Sequence, residues 1–455
     1  MADMNSVNPA TGLPIRSVMT LTPVEVEQAL AAAARRFPDW ALRPAAERAR
    51  ALRRLAVVLR SRVEALARTA TEEMGKRIAE ARAEVEKCAV ACDYFAEHGP
   101  GFLVDTVVAS DAGRSLVAWQ PLGPILLVMP WNFPYWQVMR QAVPATLAGN
   151  TVLLKHASNV QGCAAALQEL FAEAGFPDGV FRNLAIGSGA VQAVIEDPRV
   201  RGVSLTGSEA AGRAVAAAAG RSLKKTVLEL GGSDAFVVLA DADLDQAVVQ
   251  AVKARFQNNG ETCIAAKRFI VEEGVADDFV ARLRRSVEAM RVGDPMAAET
   301  DVGPLAREDL LDDLHVQVRR SVEAGAICLT GGRRLDRRGF YYAPTVLDRV
   351  LPGMAAFDEE TFGPVAAVTR AADLEEAVAL ANASRYGLGG SVWTRDLTRG
   401  ESVARRLECG CAFVNGIVRS DPRLPFGGVK DSGYGRELSA LGIREFMNAK
   451  TLWID

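Results

Sequence analysis

Histidine is nearly missing from this chain: three residues in 455, His98, His156 and His315, far apart and without the spacing of metal ligands. That scarcity argues against a zinc site and against a nucleophile activated by an imidazole. Cysteine is sparse as well. The seven cysteines are scattered, odd in number and fit no disulfide framework, which reads as reduced thiols in a cytoplasmic protein. Cys88/Cys92 and Cys409/Cys411 read as helix-face and strand residues, so no metal is expected. No apolar run approaches the roughly 18 residues of a membrane span. The polar opening MADMNSVNPATG lacks the basic and apolar regions of a signal peptide. A net charge of only −3 argues against a nucleic-acid surface. There is no Walker-type phosphate loop, so nothing points to ATP chemistry.

What is present is a large apolar core: 49% of the residues are hydrophobic, and the length suggests about two to three domains. Residues 5–20 read as a hairpin turning at NPATG. Thr22, Pro23 and Glu25 read as the capping box of a first helix. Two longer helices are expected near 44–68 and 71–97, with Leu52, Leu55, Leu59, Val63 and Leu66 at helical spacing and charged faces read as solvated surface. Residues 101–121 and the C-terminal KTLWID are strand-like and lie outside the main alternation, as a projecting arm would. From 122 to 229, short apolar runs alternate with helical segments, and from 230 to 435 a second alternation follows without a Pro- or Ser-rich linker. Both predict parallel sheets covered by helices, and in the first the segments MPWNFP, KHAS and TGSEAAG fall at the carboxyl ends of strands, where ligands bind.

The chemistry gathers around residues 256–268, FQNNGETCIAAKR. Gly260 frees the backbone to turn just before Cys263. Upstream lie LELGG, with Glu229, and MPWNFP, with Asn132. A thiol, a carboxylate and an amide are a nucleophile, a proton acceptor and an oxyanion donor. Alone, such a cysteine is more often a core thiol; three segments in this order reverse that reading. TGSEAAG (Thr206 to Gly212) opens a helix after a strand and suits a phosphate. In KHAS, Lys155 and Ser158 end a strand with a cation and a small hydroxyl, and EETFGPV offers a carboxylate beside Phe362. Singly, each of these is an ordinary turn or strand end. PFGGVKDSGYGRE is a glycine-rich loop.

Taken together, from NPATG through PWNFP, LELGG, the Cys263 segment and EETFGPV to PFGGVKDSG, the chain resembles the aldehyde dehydrogenase superfamily nearly end to end. The resemblance implies an α/β fold of two open parallel-sheet domains plus a projecting β oligomerisation arm. Residues 1–100 and 122–229 would bind NADP or NAD, 230–435 would hold the nucleophile, and 101–121 with 436–455 would form the arm of a homodimer or homotetramer. It implies Cys263 as nucleophile, Glu229 as general base, and Asn132 with the Cys263 amide as oxyanion hole. Trp131, Lys155, Ser158, Gly207, Ser208, Leu230, Glu360 and Phe362 fall on cofactor positions.

Within the superfamily the chain is most similar to succinate-semialdehyde dehydrogenases, especially a short bacterial subgroup with KHA in the cofactor strand. That likeness assigns Arg140 and Ser420 to a substrate carboxylate. Three departures stand out. Ser158 replaces a glutamate that would repel the 2′-phosphate of NADP. Glu261 replaces a glutamine, and a carboxylate two residues from Cys263 is expected to raise the thiol's pKa. Gln257 replaces an arginine used by some members on the substrate carboxylate. The alternatives are a broad-range aldehyde dehydrogenase, a CoA-acylating enzyme of the same fold, against which Glu229 argues, and a non-catalytic structural member.

Overall fold

In the computed structural model, which describes residues 3–455, the chain opens with a hairpin. Strand β1 (Asp3–Asn8) pairs with β2 (Leu13–Met19) across a turn closed by Gly12 at φ +67°. Helix α1 (Pro23–Leu42) starts at the expected capping box. The Glu25 N–H donates to the Thr22 hydroxyl, and the Glu25 carboxylate accepts the Thr22 N–H at 2.7 Å.

The next region differs from the sequence expectation. Instead of two helices over 44–68 and 71–97 there are three: α2 (Ala45–Ser61), α3 (Val63–Met74) and α4 (Ile78–Phe102). The first break is at Arg62 (φ −108°, ψ 12°), the second at Gly75, whose φ of +82° ends α3 in a left-handed cap. Leu52, Leu55, Leu59 and Leu66 all enter one core, so the apolar period runs through the first break and hides it. The charged faces are not all solvated either: Glu73, Lys76 and Glu84 are buried.

Strands β3 (Thr106–Val108) and β4 (Arg114–Pro121) stand outside the two large sheets. The first large sheet follows through β5 (Pro124–Met129), α5 (Trp136–Ala148), β6 (Thr151–His156), α6 (Gln161–Glu173), β7 (Phe181–Asn183), α7 (Val191–Glu196), β8 (Gly202–Thr206), α8 (Glu209–Arg221) and β9 (Lys225–Glu229). Its parallel order is β9-β8-β5-β6-β7. β5 and β6 are buried along nearly their whole length, as strands covered on both faces are.

The second sheet is built from β10 (Asp234–Val238), α9 (Leu244–Phe256), β11 (Ala266–Glu272), α10 (Glu273–Glu288), α11 (Glu308–Glu323), β12 (Ile327–Thr330), β13 (Thr345–Asp348), α12 (Ala355–Asp358), β14 (Val365–Ala371), α13 (Leu374–Asn382), β15 (Tyr386–Gly387), β16 (Gly389–Trp393), α14 (Leu397–Arg406) and β17 (Cys411–Val414). Its order is β12-β13-β14-β11-β10-β16-β17, parallel except for β12, while β15 pairs outside it.

The chain then returns to the first half. β18 (Val429–Lys430) pairs with β15, and β19 (Gly433–Tyr434) adds an antiparallel edge to β9. After α15 (Ser439–Arg444), β20 (Met447–Ile454) pairs with β4 along its full length, in a three-stranded sheet ordered β20-β4-β3. These strands are shorter than 101–121 and 436–455. Residues 101–102 finish α4, and Leu438, Ile443 and Phe446 are buried in the main core around α15. All seven cysteines are free, with Cys88 and Cys92 buried on α4 and Cys411 half-buried on β17. Among the described residues no helix is long and apolar enough to cross a membrane.

Candidate active site

The site lies where the two sheets meet, and they use opposite edges. In the first sheet the singled-out residues follow the strands: Trp131 and Asn132 after β5, Lys155 and Ser158 at the end of β6, Gly207 and Ser208 after β8, and Glu229 at the end of β9. In the second sheet they precede them: Cys263 before β11, Glu360 and Phe362 before β14.

A strained turn presents the thiol. After α9, Asn258, Asn259 and Gly260 all take left-handed φ values of 52°, 58° and 79°. Asn258 donates to the carbonyls of Asn132 and Glu261, both at 3.0 Å, and Asn259 to those of Gly75 and Pro304 at 3.0 and 2.9 Å. A side chain at Gly260 would run into the backbone of Gly363, so this glycine is needed for close approach as well as for its φ. The Asn132 amide donates one N–H to the Glu261 carbonyl at 3.1 Å, and an amide nitrogen carries a second. The Cys263 N–H has no acceptor among the described residues.

Two buried cations, neither singled out by sequence, fix this turn. Lys267 donates to the carbonyls of Gly232 (2.6 Å), Thr262 (3.0 Å) and Cys263 (2.8 Å), and to Glu360 Oε1 (2.9 Å). Arg255 donates to the carbonyls of Gly260, Thr361, Gly363 and Val365 and has no carboxylate partner among the described residues. The only sequence signal for Lys267 is its place four residues after the thiol; Arg255 looks like any helix-end cation.

Burial pushes the Cys263 thiol up to about 12; Arg140 and Lys267 oppose this, while Glu360 and Glu229 add to it. The protein alone therefore keeps the thiol protonated. Glu261 is not among these influences. Its carboxyl is buried, accepts the Ala306 N–H at 2.9 Å and is itself raised by burial, so the expected effect of Glu261 on the thiol is not found.

Glu229 is also buried, and among the described residues neither carboxyl oxygen has a well-formed hydrogen bond. Burial foremost, then the Glu437 carboxyl, raise its pKa, and Arg140 opposes them. A Cβ on Gly427 would lie 2.8 Å from Glu229 Oε1, so the glycine-rich loop packs its backbone against this group. Arg140 is held between the two acids. It forms an ion pair with Glu437, stands 4.0 Å from Glu229, donates to Thr206 Oγ1 at 3.2 Å and lies over the Phe426 ring.

A cavity of about 230 Å³ brings together Cys263, Arg140, Ser420 and Gln257, walled by Phe133 and Trp136 among others. The cofactor candidates form a second group. Trp131 and Phe362 meet edge to face, with ring centroids 5.7 Å apart. Ser208 caps α8, accepting the Ala211 N–H at 3.4 Å. The Gly207 N–H donates to the Glu229 carbonyl, and Leu230 is buried against Gly212 of α8. Glu360 takes the Gly232 N–H at 3.1 Å as well as Lys267, and a Cβ on Gly231 would lie 2.5 Å from its Oε2. Lys155 is half-buried, lowered by burial, and has no carboxylate or hydrogen-bond partner among the described residues. An unpaired cation at a strand end, an exposed Ser158 and an open helix start suit a nucleotide phosphate.

Fold and site define an α/β enzyme with a thiol facing a buried cavity where two parallel sheets meet. The aldehyde dehydrogenase family profile matches residues 2–452, and the chain belongs to that family. It is 50% identical over 449 residues to a probable NADP(+) succinate-semialdehyde dehydrogenase of Synechocystis, covering 99% of each chain. It is 51% identical over 452 residues to NADP(+) succinate-semialdehyde dehydrogenase 1 of Mycobacterium tuberculosis, again covering 99% of each. Among solved structures, the succinic semialdehyde dehydrogenase of Streptococcus pyogenes in complex with NADP+ superposes with a TM-score of 0.97 at 38% identity, covering 99% of each chain.

Proposed function

We propose that this protein oxidises succinate semialdehyde to succinate with NADP or NAD as hydride acceptor. The observation that carries this reading is that one cavity is lined by the Cys263 thiol and by cationic and hydroxyl groups suited to a carboxylate. The names of its half-identical relatives support it.

In the proposed step the Cys263 thiol gives its proton to solvent, and its sulfur adds to the aldehyde carbon as the carbonyl π pair moves onto oxygen. The second Asn132 N–H and the free Cys263 N–H receive the oxyanion, each such donor being worth about 2.7–4 kcal/mol. When bound, the nicotinamide supplies the hydride acceptor that makes this an oxidation. Glu229 takes a proton from the water that cleaves the Cys263 thioester; its raised pKa makes it a stronger base than an ordinary carboxylate. Ser158 and the unpaired Lys155 tolerate a 2′-phosphate, Glu360 suits ribose hydroxyls, and Trp131, Gly207, Ser208, Leu230 and Phe362 line the rest. Arg140 and Ser420 attend the substrate carboxylate.

In this reading residues 1–100 and 122–229 hold the cofactor and 230–435 the nucleophile. The strands β3, β4 and β20 join subunits as a homodimer or homotetramer through exposed apolar residues such as Val107 and Trp453. Free cysteines throughout fit a cytoplasmic protein.

The test is kcat/KM for succinate semialdehyde against butyraldehyde, with each cofactor. A preference of tenfold or more for the carboxylated aldehyde is expected. Equal values would make this a broad-range aldehyde dehydrogenase.

A further inference from the structure

The cavity holds a cation that the reading above does not use. Glu80, Ala83, Glu84 and Lys87 of α4 all line it, at the spacing of one helix face. Both acids on that face are paired, Glu80 with Arg77 at 2.9 Å and Glu84 with the buried Lys76. Glu84 also caps α5, accepting the N–H groups of Tyr135 and Trp136 at 2.8 Å each. Arg140 already shares its charge with Glu437 and Glu229. Lys87 has no carboxylate within 4 Å among the described residues. Arg419, also lining the cavity and without such a partner, is exposed.

The ammonium of Lys87 is held in place. It donates to Ser420 Oγ at 2.8 Å and sits 4.2 Å from the centre of the Trp136 ring. Trp136 Nε1 donates to the same Ser420 oxygen at 3.1 Å. A serine oxygen accepts two hydrogen bonds and donates one. Both acceptor positions of Ser420 are thus filled, and its own O–H has no acceptor among the described residues. Lys87 and Ser420 present an uncompensated positive charge and a free hydroxyl proton to one apolar cavity that also holds the thiol.

We propose that Lys87 is the principal charge that binds the remote carboxylate of the substrate, with Ser420 donating its hydroxyl to the same group. Arg140, whose charge is shared with Glu437 and Glu229, is then the lesser cation on that carboxylate. This rests on the succinate-semialdehyde reading and names the residue that enforces it. Burial foremost, and Arg140 after it, hold Lys87 down at about 8, and a carboxylate arriving beside it offsets that cost. Lys87 hides in sequence because its helix face reads as solvated charge.

The experiment is steady-state kinetics of wild type, Lys87→Met and Lys87→Arg with succinate semialdehyde and butyraldehyde at saturating NADP. Inhibition by succinate and by butyrate is measured on the same proteins. Lys87→Met should raise KM for succinate semialdehyde about 30- to 100-fold, with kcat within threefold and KM for butyraldehyde unchanged. Inhibition by succinate should weaken in parallel, and Lys87→Arg should recover most of both. Retained butyraldehyde turnover reports that the variant is folded. If wild type prefers succinate semialdehyde and Lys87→Met keeps that preference, the role of Lys87 is overturned alone. That role is overturned too if both aldehydes lose equally, or if butyraldehyde turnover collapses in Lys87→Met and Lys87→Arg alike. If wild type treats both aldehydes alike, the substrate reading falls first and this inference with it.

Discussion

Lys267 Nζ donates to Glu360 Oε1 at 2.9 Å while holding the carbonyl of Cys263 at 2.8 Å. One ammonium therefore ties a carboxylate suited to ribose hydroxyls to the backbone of Cys263. Breaking a buried charge pair by removing one partner is strongly destabilising. Lys267→Met is expected to lose about 3 kcal/mol, the low end of that range because Glu360 keeps some contact with water. It should also raise KM for the cofactor. Adding Glu360→Gln should return part of the lost Tm. A double variant less stable than the single one removes the charge pair as the cause.

The thiol of the free enzyme should behave as protonated. Alkylation of Cys263 by iodoacetamide, followed by mass spectrometry of its peptide, is expected to accelerate about tenfold per pH unit between 7 and 9 without a plateau, because burial pushes the thiol up to about 12. NADP, whose nicotinamide ring is cationic, should speed the reaction at pH 7. A plateau below pH 8 in the free protein would show that the site itself ionises the thiol.

In the proposed mechanism Glu229 must lose its proton before it can activate water. Its pKa is raised, so its basic form appears only as pH climbs above the ordinary carboxylate range. The thioester-hydrolysis step should therefore gain rate with pH, over a range displaced upward. Glu229→Gln should give a burst of reduced cofactor followed by slow turnover, with no such pH rise in the slow phase. Unchanged turnover without a burst dismisses Glu229 as the base.

Ser158→Glu adds a carboxylate at the end of β6, near Lys155. KM for NADP should rise by at least tenfold and that for NAD by less than threefold, as measured by initial rates with each cofactor. Equal effects on both would mean that position 158 does not face the 2′-phosphate.

Lys87 loses its charge as pH rises past about 8. After burial, the groups acting on it are Arg140 from α5, which lowers it, and Cys88 and Glu84 on its own helix with Asp421 beyond Ser420, which raise it. KM for succinate semialdehyde should thus be flat below pH 8 and climb toward tenfold per unit above it, while KM for butyraldehyde stays level. A matching climb for both aldehydes assigns the effect to another group.

The sequence makes part of this legible because part of it is local. Cys263, Glu229 and Asn132 each stand in a short run whose residue types carry meaning, and the alternation of strands and helices shows in apolar periodicity alone. Lys267 and Arg255 cannot be read that way. Apart from Glu360, their partners are backbone carbonyls up to 110 residues away, and a carbonyl leaves no letter in a sequence. Glu437 closes a glycine-rich stretch that looks like plain loop, yet it is the closest acid to Arg140. The break at Arg62 is invisible because the leucines on either side serve one core.

The order of the chain also bears on when the enzyme becomes active. Gly427 packs on Glu229, Glu437 pairs with Arg140, and β20 closes along β4 from Met447 to Ile454. All three contacts join the tail to parts made far earlier. Because a nascent chain folds from its N-terminus as it emerges, these partners must wait for residues still inside the ribosome. Translation itself thus acts as a timer: Glu229 stays uncovered, and Arg140 without its Glu437 partner, until residues 427–437 have emerged.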